Sequence, residues 1–477
     1  MFSIGKGWTG RPRRLFCTFM VVGALLVLPC ATPFAAESPA PADLEERLQR
    51  LEAEIVRLQQ ELAAWRERGA SSESAQVKEL EQQVETLSKE LERTRIGPAA
   101  QPEASGSVHG LGPAASKVYG VELGVSIGGY GEMLYNDPSA RLDDDSASDA
   151  AATLDLLRGV FYFGYKFNDR ILFNSEIEFE HATTGEGAEE KGEVSLEFAY
   201  LDFRVREGFN VRAGLLLLPV GFLNERHEPP TYLGAKRPEV ERLLLPSTWR
   251  ENGAGIFGDL GPVAYRVYVV AGLDAGGFTA EGIRGGRQAG SESLAEDLAL
   301  TGRLDWTIRP GLLVGASAFV GDSGQGMEDA AGDPIDARVE LWDVHAEWVW
   351  RGLQVRALAT ETRISDADEI SLGNGLAGDA GVGEKLRGGY AEVGYDLLAP
   401  FDLEPELIPY VRYERFNTQQ QVPTGFLANP ANERRVVTYG VAYKPIHQVV
   451  VKVDFQDVQN EAGTGLDEFH AAIGFLF

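Results

Sequence analysis

The chain has 477 residues, a formal net charge of −28 and two cysteines. Such acidity argues against nucleic-acid binding, which needs basic patches, and both cysteines (Cys17 and Cys30) lie so near the N-terminus that the rest of the chain has no disulfide framework, cysteine metal site or thiol nucleophile. Mean hydropathy is −0.16 with no long apolar run downstream of the N-terminus, which excludes a helical membrane protein but not a β-barrel, whose lipid-facing residues alternate with polar ones and dilute the signal.

Residues 1–36 read as a secretory signal peptide. Lys6, Arg11, Arg13 and Arg14 form a basic head, Leu15 to Leu28 an apolar middle broken by Pro29, and Ala31, Ala35 and Ala36 a small-residue exit. The apolar run is short for a membrane-spanning helix, which needs about 20 residues. A retained N-terminal anchor is the alternative. Removal of the four basic residues would take the charge from −28 to −32.

Residues 43–95 carry heptads. Leu44, Leu48, Leu51, Ile55, Leu58, Leu62 and Trp65 alternate at spacings of four and three, and Val77, Leu80, Val84, Leu87 and Leu91 form a second, out-of-phase seam. Gly69 to Ser72 separate the two. The pattern predicts an α-helical coiled coil placed in the periplasm, either self-associating or folded back as an intrachain hairpin. Residues 96–117, rich in Gly, Pro, Ala and Ser, are expected to be a flexible linker.

From 118 to 477 the period changes to two. In Phe173–Glu180, Phe173, Ile177 and Phe179 fall on one face, and Asn174, Glu176, Glu178 and Glu180 on the other. Val449–Gln456 alternates in the same way. Short connections are expected at Asn168-Asp169, Glu207-Gly208, Leu260-Gly261, Arg309-Pro310, Arg351-Gly352, around Pro400 and at Lys444-Pro445. Long ones fall between them: 136–152, 183–192, 221–252, 274–297, 323–335, 366–384, 418–432 and 459–466. Seven short turns alternating with eight long loops require sixteen strands. The fold class is therefore all-β: a 16-stranded antiparallel transmembrane β-barrel preceded by the coiled coil, placed in the bacterial outer membrane. Phe469, Ile473, Phe475 and the final Phe477 give the last strand the look of a C-terminal assembly signal read by the barrel-assembly machinery.

Gly128-Gly129-Tyr130-Gly131-Glu132, Leu196 to Phe203, Gly214 to Gly221 and Asn224 to Pro230 follow one another in an order that resembles the phosphate-selective porin O/P family. That resemblance implies a homotrimer of sixteen-stranded porins in lipopolysaccharide-containing membrane, with basic residues leading anions through a constriction.

The longest connection, 221–252, is the candidate constriction. It carries Arg226, His227, Lys236, Arg237, Arg242 and Arg250 against Glu225, Glu228, Glu239, Glu241 and Glu251. Both signs in one constriction impose a transverse field, whereas one sign selects ions; a loop held by its own ion pairs is the other reading. Arg284 and Arg287 read as an exposed Gly-Arg loop. The strand walls look acidic: Glu176, Glu178, Glu180, Glu193 and Glu197 are lumen-facing candidates, with Asp343, His345 and Glu347 as another inward row. Arg212, Arg303, Arg356, Arg412 and Lys452 are the basic inward candidates. An acidic lumen enriches cations, so no strong phosphate preference is expected. Asp143 to Asp145 suit a divalent cation at the surface or are simply solvated. Trp306, Trp342, Trp348 and Trp350 fit an interfacial girdle.

Nothing in the six histidines has a Ser/His/Asp spacing, so no enzyme is expected, and no cofactor or metal site. The function read from the sequence is passive diffusion of small hydrophilic solutes or ions, phosphate or other anions by resemblance. The alternative is a structural anchor that uses the coiled coil as a tether.

Overall fold

The computed structural model of the protein describes residues 53, 54, 56–58, 60, 107–183, 192–401 and 403–477. The expected signal peptide, most of the expected coiled coil and residues 96–106 lie outside the described residues. Within 53–60 the described residues are helical, and Arg57 pairs with Glu54 at 2.5 Å.

Sixteen strands follow in order: β1 (Gly124–Pro138), β2 (Thr153–Asn168), β3 (Ile171–Glu180), β4 (Val194–Arg206), β5 (Phe209–Leu217), β6 (Arg250–Leu260), β7 (Val263–Ala271) and β8 (Leu298–Arg309) make the first half. The second half is β9 (Leu312–Gly321), β10 (Val339–Trp350), β11 (Leu353–Ile364), β12 (Lys385–Tyr395), β13 (Glu406–Gln421), β14 (Glu433–Ile446), β15 (Val449–Asn460) and β16 (Glu468–Leu476). Every strand pairs antiparallel with its neighbour in sequence, and β1 pairs with β16, so the sheet closes. The seam runs from Tyr130 opposite Leu476 to Pro138 opposite Glu468. Phe477 N–H donates to Gly129 O at 2.9 Å and Gly129 N–H to Phe477 O at 3.0 Å. Closure leaves no edge strand with unpaired backbone groups.

The period of two decides which side is wet. On β2, Phe161, Phe163, Tyr165 and Phe167 are exposed on the outside, while Val160, Tyr162 and Lys166 are buried inside. The same holds for Val393 and Tyr395 on β12, Tyr439 and Val441 on β14, and Phe469, Ile473, Phe475 and Phe477 at the C-terminal end. An apolar belt of this extent far exceeds the few hundred Å² that soluble monomers expose. It suits hydrocarbon, in which each such side chain saves about 1.5–3 kcal/mol of exposure. Trp306, Trp342 and Trp350 are exposed on the outer face, and Trp348 stacks on Trp350 with ring centroids 6.0 Å apart.

Two connections depart from the expected alternation of short and long: the one around Pro400 spans 396–405 and is longer than the loop 461–467, and one turn is shifted. Lys444-Pro445 is not a turn but lies within β14, where the register slips between Tyr443 and Ile446. Proline lacks the N–H that a regular ladder needs and is accepted at such an irregularity. The reversal comes afterwards, at His447-Gln448.

The described part of the expected linker is not a free tether. Residues 107–123 enter the barrel at its short-turn end and include helix α1 (Lys117–Gly120). Leu111, Ala114, Ala115, Val118 and Val121 are all buried. Tyr119 donates to Asp202 at 2.6 Å, and Lys166 donates to Val121 O at 2.9 Å. The glycines that read as flexibility serve close approach instead. A Cβ on Gly112 would lie 2.5 Å from the Glu228 carboxyl carbon, and Gly110, at φ +88°, faces the Arg266 guanidinium.

Candidate functional site

The long connection between β5 and β6, residues 218–249, turns inward and crosses the bore. Its apolar residues Leu218, Val220, Phe222, Leu223, Val240, Leu243 to Leu245 and Trp249 are buried in one cluster with inward wall residues. A short helix, α2 (Glu239–Leu243), lies within it. Its fold is fixed by polar anchors within the loop. Glu241 accepts from Phe222 N–H at 2.9 Å, Leu223 N–H at 2.7 Å and the Tyr390 hydroxyl at 2.6 Å. Asn224 accepts from Trp249 N–H at 2.6 Å and donates to Leu218 O at 2.6 Å.

Further bonds tie the loop around the circumference. Asp343 on β10 accepts from Gly221 N–H at 3.1 Å, and Arg356 on β11 donates to Thr231 O at 3.2 Å. Glu414 on β13 accepts from Val240 N–H at 3.1 Å. Asp454 on β15 accepts from Ala235 N–H at 2.6 Å, and Lys452 donates to Gly234 O at 2.8 Å. Buried backbone donors and acceptors that find such partners avoid a cost of about 1–3 kcal/mol each. The inner loop is thus a fixed part of the lumen wall.

The six basic candidates on and beside this loop fare differently. Arg226 lies against Glu347 at 3.4 Å, and His227 sits between Glu176 and Glu197. Lys236 pairs with Glu468 at 2.6 Å, Arg242 with Glu239 at 2.6 Å, and Arg250 with Glu197 at 3.6 Å. Arg237 has no salt-bridge partner among the described residues, and its buried Nε and Nη2 have no hydrogen-bond partner.

The acidic candidates are placed as follows. Glu176, Glu178 and Glu197 are buried on the inner side of β3 and β4, Glu180 is half-buried, and Glu193 is exposed just before β4. Several inward carboxylates are matched by a cation, whereas Glu176, Glu180, Glu193 and Asp343 meet no lysine or arginine within 4 Å among the described residues. Glu178 lies 3.3 Å from Arg158, and Asp202 accepts from Arg212 at 2.7 Å. Asp305 meets Arg266 at 2.6 Å and Arg303 at 2.8 Å. Glu347 meets Arg356 at 2.6 Å, and Arg412 pairs with Glu392 and Glu414. Sequence reasoning did not anticipate these pairings, and it missed Arg158 altogether.

Toward the long-loop end, between the inner loop and the walls, opens a cavity of about 620 Å³. Six cationic side chains line it: Arg158, Lys236, Arg237, Arg242, Arg284 and Arg434. Four carboxylates face them, from Glu132, Glu180, Glu239 and Glu468. Arg284 and Arg287 are not an exposed pair. Both are half-buried, and they hold the inner loop's backbone: Arg287 donates to Thr248 O at 2.7 Å, and Arg284 to Arg242 O at 3.0 Å and to Ser247 O. Burial, with Arg287, Arg242 and Arg237 crowding it, pushes the Arg284 guanidinium down to about 9. Crowded cations of this kind are relieved by an anion rather than by a proton loss that arginine resists.

An uncharacterized protein of Aquifex aeolicus (strain VF5) is 40% identical over 385 residues, covering 79% of this chain and 85% of that protein. This chain belongs to its family. No protein-family model matches the chain, so the resemblance to the phosphate-selective O/P porins has no such match behind it. Among solved structures, the chain is similar to OmpF of Salmonella typhi in complex with daunomycin, at 15% identity over 75% of this chain and 98% of that one, with a TM-score of 0.49. It is also similar to the outer membrane channel DcaP of Acinetobacter baumannii, at 14% identity over 74% and 97%, with a TM-score of 0.45. An anion-selective porin from Comamonas acidovorans is 10% identical over 74% and 99%, with a TM-score of 0.44. The closed sixteen-stranded barrel stands on this chain's own strand register, not on these likenesses.

Proposed function

We propose that the protein is an outer-membrane channel for small hydrophilic solutes whose long-loop entrance favours anions. The observation that carries the first half is the division of the cylinder into an apolar outer face and an ionised interior crossed by one inward loop. A barrel with that division sits in lipid and surrounds polar space. The second half rests on Arg237 and Arg284. These two are the cations at the cavity that no carboxylate meets within 4 Å among the described residues. Arginine guanidinium groups grip phosphate or carboxylate through two parallel N–H bonds. With six cations against four carboxylates, this vestibule is opposite in sign to the acidic, cation-enriching lumen that the sequence leads one to expect.

Residues 43–95 as a periplasmic coiled coil, the homotrimer and contact with lipopolysaccharide belong to the same proposal. So does recognition of the Phe469–Phe477 strand by the barrel-assembly machinery. The packing of 107–123 into the short-turn end favours one second reading, a closed barrel that serves as an anchor. Conductance of the purified full chain in a planar bilayer separates the two. Discrete channels support transport, and their absence supports the anchor.

A further inference from the structure

Three buried side chains from three different elements meet beneath the inner loop: Glu176 on β3, Glu197 on β4 and His227 on the loop. His227 Nε2 lies 3.0 Å from Glu176 Oε1 and 3.2 Å from Glu197 Oε2. One nitrogen and two carboxylate oxygens all lie within 4.8 Å of one another. The side chains of Glu176, Glu197 and His227 are 0%, 1% and 2% exposed.

The surroundings orient these groups as ligands are oriented. His227 Nδ1 lies 3.0 Å from Asn224 O. Donation to that carbonyl puts the proton on Nδ1 and aims Nε2 at the carboxylates, the arrangement that fixes the tautomer of metal-bound imidazoles. Thr248 donates to Glu197 Oε1 at 2.5 Å, which leaves Oε2 for the centre of the cluster.

A second observation points to something missing there. Glu176 Oε2 and Glu197 Oε2 are buried without a hydrogen-bond partner, and so is the hydroxyl of Tyr130, whose ring packs 6.0 Å from the His227 ring. Buried polar atoms are almost always satisfied, and orphans gathered at one place mark an ion or a water. A protonated His227 does not account for them, because its single Nε2–H serves one carboxylate oxygen and leaves the others bare. Charge counts the same way. With His227 neutral, the guanidinium that comes within 4 Å of the two carboxylates among the described residues is Arg250, 3.6 Å from Glu197.

We propose that Glu176, Glu197 and His227 bind one divalent transition-metal ion, with Zn²⁺ the best match to one imidazole and two carboxylates. Water completes the coordination. The ion ties the inner loop to the wall formed by β3 and β4, so the site is a staple for the loop and has no catalytic part. It differs in place and in sign from the arginine-lined vestibule, and it stands whether or not the barrel conducts.

The test uses the refolded full chain, stripped with a chelator and titrated with Zn²⁺ by calorimetry, with metal content read by mass spectrometry. One equivalent is expected in the wild type. Affinity should fall about 100-fold or more in His227→Gln and in the double variant Glu176→Gln/Glu197→Gln, as expected when a ligand is removed. Arg338→Ala, exposed just before β10 and away from the cluster, should bind as the wild type does. Less than one equivalent in the wild type, or equal affinity in His227→Gln, would overturn the site. Where the variants fail to fold, X-ray absorption of the Zn²⁺-loaded wild type decides. One nitrogen donor with oxygen donors supports the site; several imidazoles, or oxygen alone, contradicts it.

Discussion

At the walls of the barrel, Asp202 meets Arg212 at 2.7 Å and Asp305 meets Arg266 at 2.6 Å, each pair nearly sealed from water. At the long-loop end, Arg237 and Arg284 line a cavity without a carboxylate partner among the described residues. The two regions use the same residue types. A paired buried charge is structural: its desolvation is offset by its neighbour, and removing one member strands the other. An unpaired cation beside open space is left with its field to act on whatever enters. On the proposed reading, the sign of the vestibule is set by what pairing leaves over, not by the count of acids and bases.

The largest effect should come from breaking a wall pair. Arg212→Ala leaves Asp202 and the Tyr119 hydroxyl buried beside no cation and should destabilise the barrel by about 3–5 kcal/mol. Urea unfolding of the refolded protein in detergent, followed by tryptophan fluorescence, checks this; a loss within experimental error would place the pairs among dispensable decorations. Next comes the vestibule. Arg237→Ala/Arg284→Ala should reduce anion permeation and cost about 1–3 kcal/mol of stability, because Arg284 also holds the carbonyls of Arg242 and Ser247. A removed charge about 4 Å from the permeating ion forfeits ~1 kcal/mol at the dielectric of water, about a fivefold change. The permeability ratio from bilayer recordings reads it directly.

Gly112→Val probes the segment at the short-turn end. Its side chain collides with the Glu228 carboxylate, so 107–123 should undock, with a larger single-channel conductance than the wild type. Unchanged conductance would mean that the segment does not obstruct the path. The smallest effect is expected at the surface. Arg338 pairs with Asp322 and Glu340 in water, and Arg338→Ala should shift unfolding by less than about 1 kcal/mol.

Much of the fold was legible because strand alternation and turn spacing are local. Phe173, Ile177 and Phe179 lie on the apolar outer side while Asn174, Glu176 and Glu178 are buried inside, as their alternation requires. Pro445 misplaced one turn because a bulge within β14 absorbs a proline as readily as a reversal does. Gly110 and Gly112 misread as linker because glycine marks both freedom and close approach, and only a partner such as Glu228 tells them apart. The site was less legible. Glu176, Glu197 and His227 are far apart in sequence, and Asp305 is 40 residues from His345, its hydrogen-bond partner at 3.0 Å. Inward positions follow from a period of two, but partners follow from the closed register and from where the inner loop lands.

The reversal potential of single channels in a planar bilayer under a salt gradient bears most directly on the proposal that the unpaired vestibule arginines outweigh the wall carboxylates. The account predicts a potential of anion-selective sign that moves toward zero in Arg237→Ala/Arg284→Ala. A cation-selective potential in the wild type would show that the wall carboxylates, not the unpaired arginines, set the field.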